Sequence, residues 1–287
     1  MLYLASFDFP TEDTEWQYRL RIKLTYYDSI YPFYIMPKLG LTHLAFRPIT
    51  ILYGGNGSGK STILNVIAEK ARLKRDSVYN RSPFFEDYVD LCSMTLEEAI
   101  PLNSRIITSD DVFDFMLGVR CINEEVDSRR EELAAEYQQL KHDRTVIRTL
   151  DDYDRLRERN EARRKTQSKW VKDRLQASIR EQSNGESSDY YFKSRILEDT
   201  LCLLDEPENS LSPENQLKLA DYLVESVRYC GCQLIISTHS PFLLALPDAR
   251  IIDLDNGCRE VEDWTDLKNV RIYYDFFEKF KDRFREK

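Results

Sequence analysis

Short continuous apolar runs stand at Ile49–Tyr53, Ile106 and Ile107, residues 201–204, Gln233–Ser237 and residues 251–254. Runs of this length, rich in branched side chains, predict strands buried on both faces of a parallel sheet. Between them the apolar period changes to that of a helix. Ile63, Leu64, Ile67 and Ala68 recur within residues 61–71, and Leu217, Ala220, Leu223 and Val227 follow Ser212-Pro213. A serine cap with proline at the first helical position predicts where that second helix starts, and Ser240-Pro241 predicts another start. Residues 1 to 53 read as strands and turns, with apolar and aromatic residues interleaved with charge in 17–26 and 30–36. Residues 74–105 read as irregular, and a helix is expected from about Val112.

From 123 to 182 the text is dense in Glu, Arg, Lys and Gln, with no Gly or Pro. It predicts two helices that break near residues 150–152 and fold as a hairpin, each arm of about 25 residues reaching ~38 Å. The imperfect heptads favour a short hairpin over a long coiled coil. Its second arm carries Arg155, Arg157, Arg159, Arg163, Arg164, Lys165, Lys169, Lys172, Arg174 and Arg180. That stripe either pairs with Glu124, Glu125, Asp127, Glu131 and Glu132 of the first arm or contacts nucleic-acid phosphates. Trp170 within it either packs in the hairpin or stacks on a base. A last helix over 266–285 carries Tyr273, Tyr274, Phe276, Phe277 and Phe280, which are expected to pack into the core.

Composition narrows the functional classes. The net charge of −9 disfavours general polyanion binding, though a local basic stripe escapes that average. Six cysteines include no CxxC pair, so structural thiols in a reducing compartment are expected rather than a metal or disulfide framework. Acidic residues come too early for a signal peptide, and no run approaches the ~18 apolar residues of a membrane span. A cytoplasmic protein with no membrane insertion is expected.

The strongest chemical signal is Gly54-Gly55-Asn56-Gly57-Ser58-Gly59-Lys60-Ser61-Thr62, between a predicted strand and a predicted helix. Glycines in this context let successive backbone N–H groups turn toward phosphate oxygens. Lys60 is placed to neutralise the β and γ oxygens, and the Ser61 hydroxyl to reach Mg²⁺. The apolar run at 201–204 ends in Asp205-Glu206. Asp205 is the candidate metal ligand, and Glu206 the candidate acid that polarises an attacking water. Ser237-Thr238-His239-Ser240-Pro241 follows another strand, at the edge where α/β sheets bind ligands. His239 is a candidate partner for the γ-phosphate and the water.

The P-loop, the segment Asp205-Glu206-Pro207-Glu208-Asn209-Ser210-Leu211-Ser212-Pro213 and the later Ser-Thr-His-Ser together resemble the ABC class of ATPases. The likeness spans residues 31–254 and leans to the stand-alone soluble branch, akin to RecF-like and overcoming-lysogenization-defect-like heads. It implies an α/β fold: a RecA-like parallel sheet, an N-terminal antiparallel β layer and a helical insert with a short hairpin. The core would comprise residues 1–111 and 201–287, and the insert 112–200, with the hairpin at about 123–181. It also implies Mg-ATP hydrolysis between two copies joined head to head. Ser183-Asn184-Gly185-Glu186 is the candidate signature motif offered to the other copy's ATP, although Ser-Asn-Gly also suits a plain turn. Asn209, Ser210, Leu211 and Ser212 would form the D-loop.

Two departures stand out. No glutamine lies between Thr62 and Gln138, so the family's Q-loop residue is missing, and Ser109 or Asp110 is the candidate substitute. For stacking on adenine, Tyr31, Phe33 and Tyr34 are candidates, with core packing the competing role. The expected partners of the switch are nucleic acid or a separate effector protein. The alternatives are an ATPase subunit of a membrane transporter and a nucleotide-sensing module with vestigial hydrolysis.

Overall fold

The computed structural model describes residues 1–22, 27, 29–142, 152–174, 184–209 and 211–285. In chain order the first elements are β1 (Leu4–Asp8), α1 (Glu12–Arg21), α2 (Ile35–Lys38), β2 (His43–Ala45), β3 (Ile49–Tyr53) and α3 (Lys60–Lys70). Then come α4 (Phe85–Leu91), β4 (Ser93–Leu96), β5 (Arg105–Thr108), α5 (Ser109–His142), α6 (Asp152–Arg164), α7 (Gln167–Lys172) and α8 (Asn184–Arg195). The chain closes with β6 (Leu201–Asp205), α9 (Pro213–Tyr229), β7 (Gln233–Ser237), α10 (Pro241–Leu244), β8 (Arg250–Asp253), β9 (Arg259–Val261), α11 (Lys268–Lys279) and α12 (Lys281–Arg285). They fall into two compact units, one of residues 1–113 with 184–287, the other of residues 114–183.

The larger unit is mixed α/β. Its main sheet has the order β5-β6-β7-β3-β8-β9, parallel except for β9. Every residue of β3 and β7 is buried, as continuous apolar strands covered on both faces require. The smaller sheet, β2-β1-β4, is antiparallel. Gln233 stitches the two sheets together: Tyr3 and Leu4 donate their N–H groups to its Oε1 (2.8 and 2.9 Å), and its Nε2 donates to the Leu4 carbonyl (2.8 Å). A fully buried amide with its hydrogen bonds filled locks a register that an apolar side chain would leave free. Phe7, Met36, Ile63, Ile67 and Phe85 belong to one continuous core.

Strand register sets up the functional edge. Thr108 pairs with Asp205, Asp205 with Ser237, and Ser237 with Leu52. The ends of β5, β6 and β7 therefore line up beside the turn that leaves β3.

Several local expectations need correction. Residues 17–21 are helical, because Thr11 caps α1 and the buried side chain of that helix is Glu15, not an apolar residue. Residues 74–105 contain α4 and β4. On α9 the buried positions are Leu219, Ala220, Leu223 and Ser226, whereas Leu217 stays half exposed. The last helical stretch breaks at Phe280, and Tyr273, Tyr274, Phe276 and Phe277 lie exposed rather than in the core.

The smaller unit holds most of α5 with α6 and α7. Leu133, Tyr137, Leu140, Ala162, Trp170 and Val171 form its core. The expected hairpin break near 150–152 falls largely outside the described residues. A further break follows α6, where Thr166 caps α7 by accepting from the Lys169 N–H. Trp170 is fully buried against Tyr137, with ring centroids 5.8 Å apart, so it packs and is not free to stack on a base. Among the described residues, ion pairs join Arg129 to Glu132, Arg130 to Asp127, and Lys165 and Arg174 to Glu161.

Candidate functional site

The turn from β3 into α3 is built for close backbone approach. Gly57 and Gly59 have φ of 81° and 91°, where a Cβ is disfavoured, and a Cβ on Gly59 would lie 3.2 Å from Leu39 Cδ1. The turn delivers the N-terminus of α3, with its unsatisfied N–H groups, to a cavity of about 540 Å³. Residues 56–62 and Glu206 line one part of that cavity, and Ile35, Lys38 and Leu39 another. Asp255, beyond β8, anchors the turn by accepting the Gly55 N–H at 2.8 Å.

Lys60 is almost fully buried. Its Nζ donates to the carbonyls of Gly54 (2.7 Å) and Gly55 (3.0 Å) and lies 3.4 Å from Glu206 Oε1. Ser61 donates its hydroxyl to Asp205 Oδ1 at 3.1 Å, and Ser237 donates to the same oxygen. Burial raises the Asp205 pKa, and the two hydroxyls offset this only in part. Glu206 adopts a left-handed backbone, φ 48°, fixed by its N–H donating to the Ser237 carbonyl at 3.0 Å. Burial pushes its pKa up, but the Asn209 amide and the Lys60 charge more than reverse that and hold it below the usual glutamate value. An ionised carboxylate thus stands beside a buried ammonium at the mouth of an anion-binding turn.

The ABC transporter family matches residues 43–209, more than half of the 287-residue chain. The chain is an ABC-class P-loop ATPase. It binds ATP and hydrolyses it. The AAA ATPase domain family matches residues 190–244 of this ATPase. No curated protein matches it by sequence. Among solved structures it is similar to an ATP-binding cassette captured as a dimer, in a post-hydrolysis state with ADP and Pi. That similarity has 15% identity and a TM-score of 0.38, and covers 77% of this chain and 90% of that one.

His239 reaches the same edge. Its Nδ1 lies 3.9 Å from Glu206 Oε1 and 3.6 Å from Glu208 Oε1. What holds it there is Glu208, whose buried Oε1 accepts from Thr238 Oγ1 (2.6 Å), His239 N (3.0 Å) and Ser240 N (3.2 Å). Sequence reading treated Glu208 only as part of a motif; its position two residues after the catalytic candidate was the available signal. Asn209 is brought into the site within one copy, donating to Glu206 Oε2 at 2.9 Å. Leu211 and Ser212 lead into α9, with Ser212 as its cap, and Ser210 lies outside the described residues.

The other candidates divide. Ser109 and Asp110 open α5 just past Thr108, which pairs with Asp205. The neighbour that bonds there is Asp111, whose Oδ2 accepts from Thr108 N (2.7 Å) and Thr108 Oγ1 (2.9 Å). Ser183 lies outside the described residues, and Asn184, Gly185 and Glu186 form the first turn of α8. Of the aromatic candidates for adenine, Phe33 is buried in the core, and Tyr31 donates its hydroxyl to Thr62 Oγ1 at 3.0 Å. The residues upstream of the P-loop that line the cavity are instead Ile35, Lys38 and Leu39. The described residues contain no helix long and apolar enough to cross a membrane.

Proposed function

We propose that this ATPase is a Mg-ATP-driven switch that closes two heads on each other and opens them on hydrolysis. The observation carrying the reading is the ionised Glu206 beside Lys60 at the cavity. The backbone of residues 54–62 would hold the phosphates, with Lys60 turned from Gly54 and Gly55 toward the β and γ oxygens. Ser61 Oγ and Asp205 Oδ1, already 3.1 Å apart, form an oxygen donor pair suited to Mg²⁺. Bound there, Mg²⁺ supplies positive charge against the phosphate oxygens. It would also compensate the buried Asp205 carboxylate, whose charged form burial disfavours.

Glu206 orients and polarises the attacking water, Asn209 fixes its carboxylate, and His239 contacts the γ-phosphate or the water. In the closed pair, residues 183–186 of a second copy cover the ATP, and residues 209–212 lie along the seam. Ser109 or Asp110 takes the place of the Q-loop glutamine. The switch acts on nucleic acid or gates a separate effector protein. A second reading, the ATPase subunit of a membrane transporter, draws on the ABC transporter match. The missing glutamine, which in such subunits couples the site to the membrane partner, weighs against it.

The test is Glu206→Gln. Turnover should fall by at least ~10²-fold while ATP binding persists. Fluorescence energy transfer between labels on the heads of separate copies should then rise when Mg-ATP is added to the variant. Turnover at the wild-type rate would remove Glu206 from the chemistry. A variant whose transfer stays unchanged with ATP bound would remove residues 183–186 as a working signature motif.

A further inference from the structure

We infer that the C-terminal helices carry a second self-association surface, one that pairs two copies of this chain without nucleotide. In α11 the apolar residues Val270, Ile272, Tyr273, Tyr274, Phe276 and Phe277 sweep an arc of about 200° at 100° per residue. Only Val270 is buried. Ile272, Tyr273, Tyr274, Phe276 and Phe277 each leave 49–58% of their surface exposed, and Phe284 on α12 leaves 66%. Six half-exposed side chains of this size present on the order of 600 Å², at the top of what a monomer ordinarily shows.

The face is ordered rather than loose. Phe276 meets Phe277 and Phe280 at 5.6 and 5.1 Å between centroids, and Phe277 meets Phe284 at 6.0 Å. The N-terminus of α11 is tied to the core by Asn269 N donating to Tyr53 Oη at 3.1 Å. Aromatic rings held edge to face or tilted against one another have little rotamer entropy left to lose on docking.

Three observations favour a second copy as the occupant. The exposed area, counted on both copies, reaches the ~1,200 Å² at which stable interfaces begin. A cavity of about 370 Å³ between α11 and α12, lined by Tyr274, Phe277, Glu278, Lys281 and Phe284, supplies a hole beside the protruding rings, as a self-complementary twofold contact needs. The polar side is of mixed sign and satisfied within the chain: Arg271 pairs with Asp266 at 2.8 Å, and Glu278 with Lys281. An anionic lipid surface would instead favour Lys and Arg along the whole polar face, and Asp275 and Glu278 interrupt it.

The experiment is light scattering of the whole protein in nucleotide-free buffer, repeated on Phe276→Ser/Phe277→Ser and on Phe284→Ser. Both substitutions lie on exposed positions, and circular dichroism with ATP binding checks the fold. A wild-type mass of twice 34.0 kDa, with self-association at least about tenfold weaker in both variants, would support the proposal. A monomeric wild type, or a dimer indifferent to the Phe substitutions, would overturn it. So would a monomer that sediments with phosphatidylserine vesicles, which would assign the face to lipid. The proposal is independent of head closure, because Glu206→Gln with Mg-ATP reads that event and this measurement contains no nucleotide.

Discussion

Glu15 offers a quantitative test of how the cavity wall is held. Its side chain is fully buried on α1, and the Tyr34 N–H donates to its Oε2. Oε1 and the nearby buried Tyr88 hydroxyl complete no hydrogen bond. Burial raises the Glu15 pKa from 4.5 to about 7, opposed by the bond from Tyr34. Tyr34, held at φ 65°, leads into α2, whose Ile35 and Lys38 line the nucleotide cavity. The folded state therefore binds a proton that the unfolded state releases near pH 4.5. Stability is full below that pH, declines as pH rises toward 7, and changes no further above it. At 1.36 kcal/mol per pH unit, the interval amounts to about 3 kcal/mol.

Glu15→Gln keeps an acceptor for the Tyr34 N–H and cannot ionise. Urea unfolding at pH 5 and pH 8 should show wild type losing about 2.5 kcal/mol more than the variant between the two, part of the full interval being already lost at pH 5. Near pH 4.5 the two proteins should match, and at pH 8 the variant should be the more stable. Parallel loss in both would mean that Glu15 ionises in the fold at its ordinary value, and that the wall is not held by a neutral carboxyl.

Other substitutions probe the site itself. Glu208→Ala strips three donors of their shared acceptor, so kcat should fall ~10-fold or more with ATP affinity nearly unchanged; steady-state kinetics against nucleotide titration separates the two. Asp255→Ala frees the Gly55 N–H, and ATP affinity should drop by roughly fivefold, about 1 kcal/mol, with Asp255→Asn restoring most of it in a fluorescent-nucleotide titration.

What could be read from the sequence was what is local. The turn at 54–62 and the Asp205-Glu206 strand end are short segments whose spacing already contains their geometry, and the structure brings them within 3.4 Å of each other. Glu208 and Asp255 act through contacts 31 and 200 residues distant, which no local pattern encodes. Helix α1 was missed because its buried residue is a carboxylate and its aromatic Trp16 is exposed, which inverts the usual period. Along α11 the periodicity identified the apolar side correctly. It cannot say what covers that side, so a face left open on the outside read as core.

That open face bears on how the ATPase would work. Tyr53 precedes Gly54 directly and also accepts the Asn269 N–H, so the strand that ends in the P-loop also holds the start of α11. Two copies joined at α11 would make head closure an intramolecular event, with an effective concentration that can reach the millimolar range. Closure would then depend on ATP occupancy and hardly on protein concentration. A chain relying on head closure alone would need both ATP and enough protein to meet its partner. The α11 contact and the Glu206 switch would thus divide the work, one supplying proximity and the other timing. A nucleotide-driven switch gains most from that division when the protein is scarce.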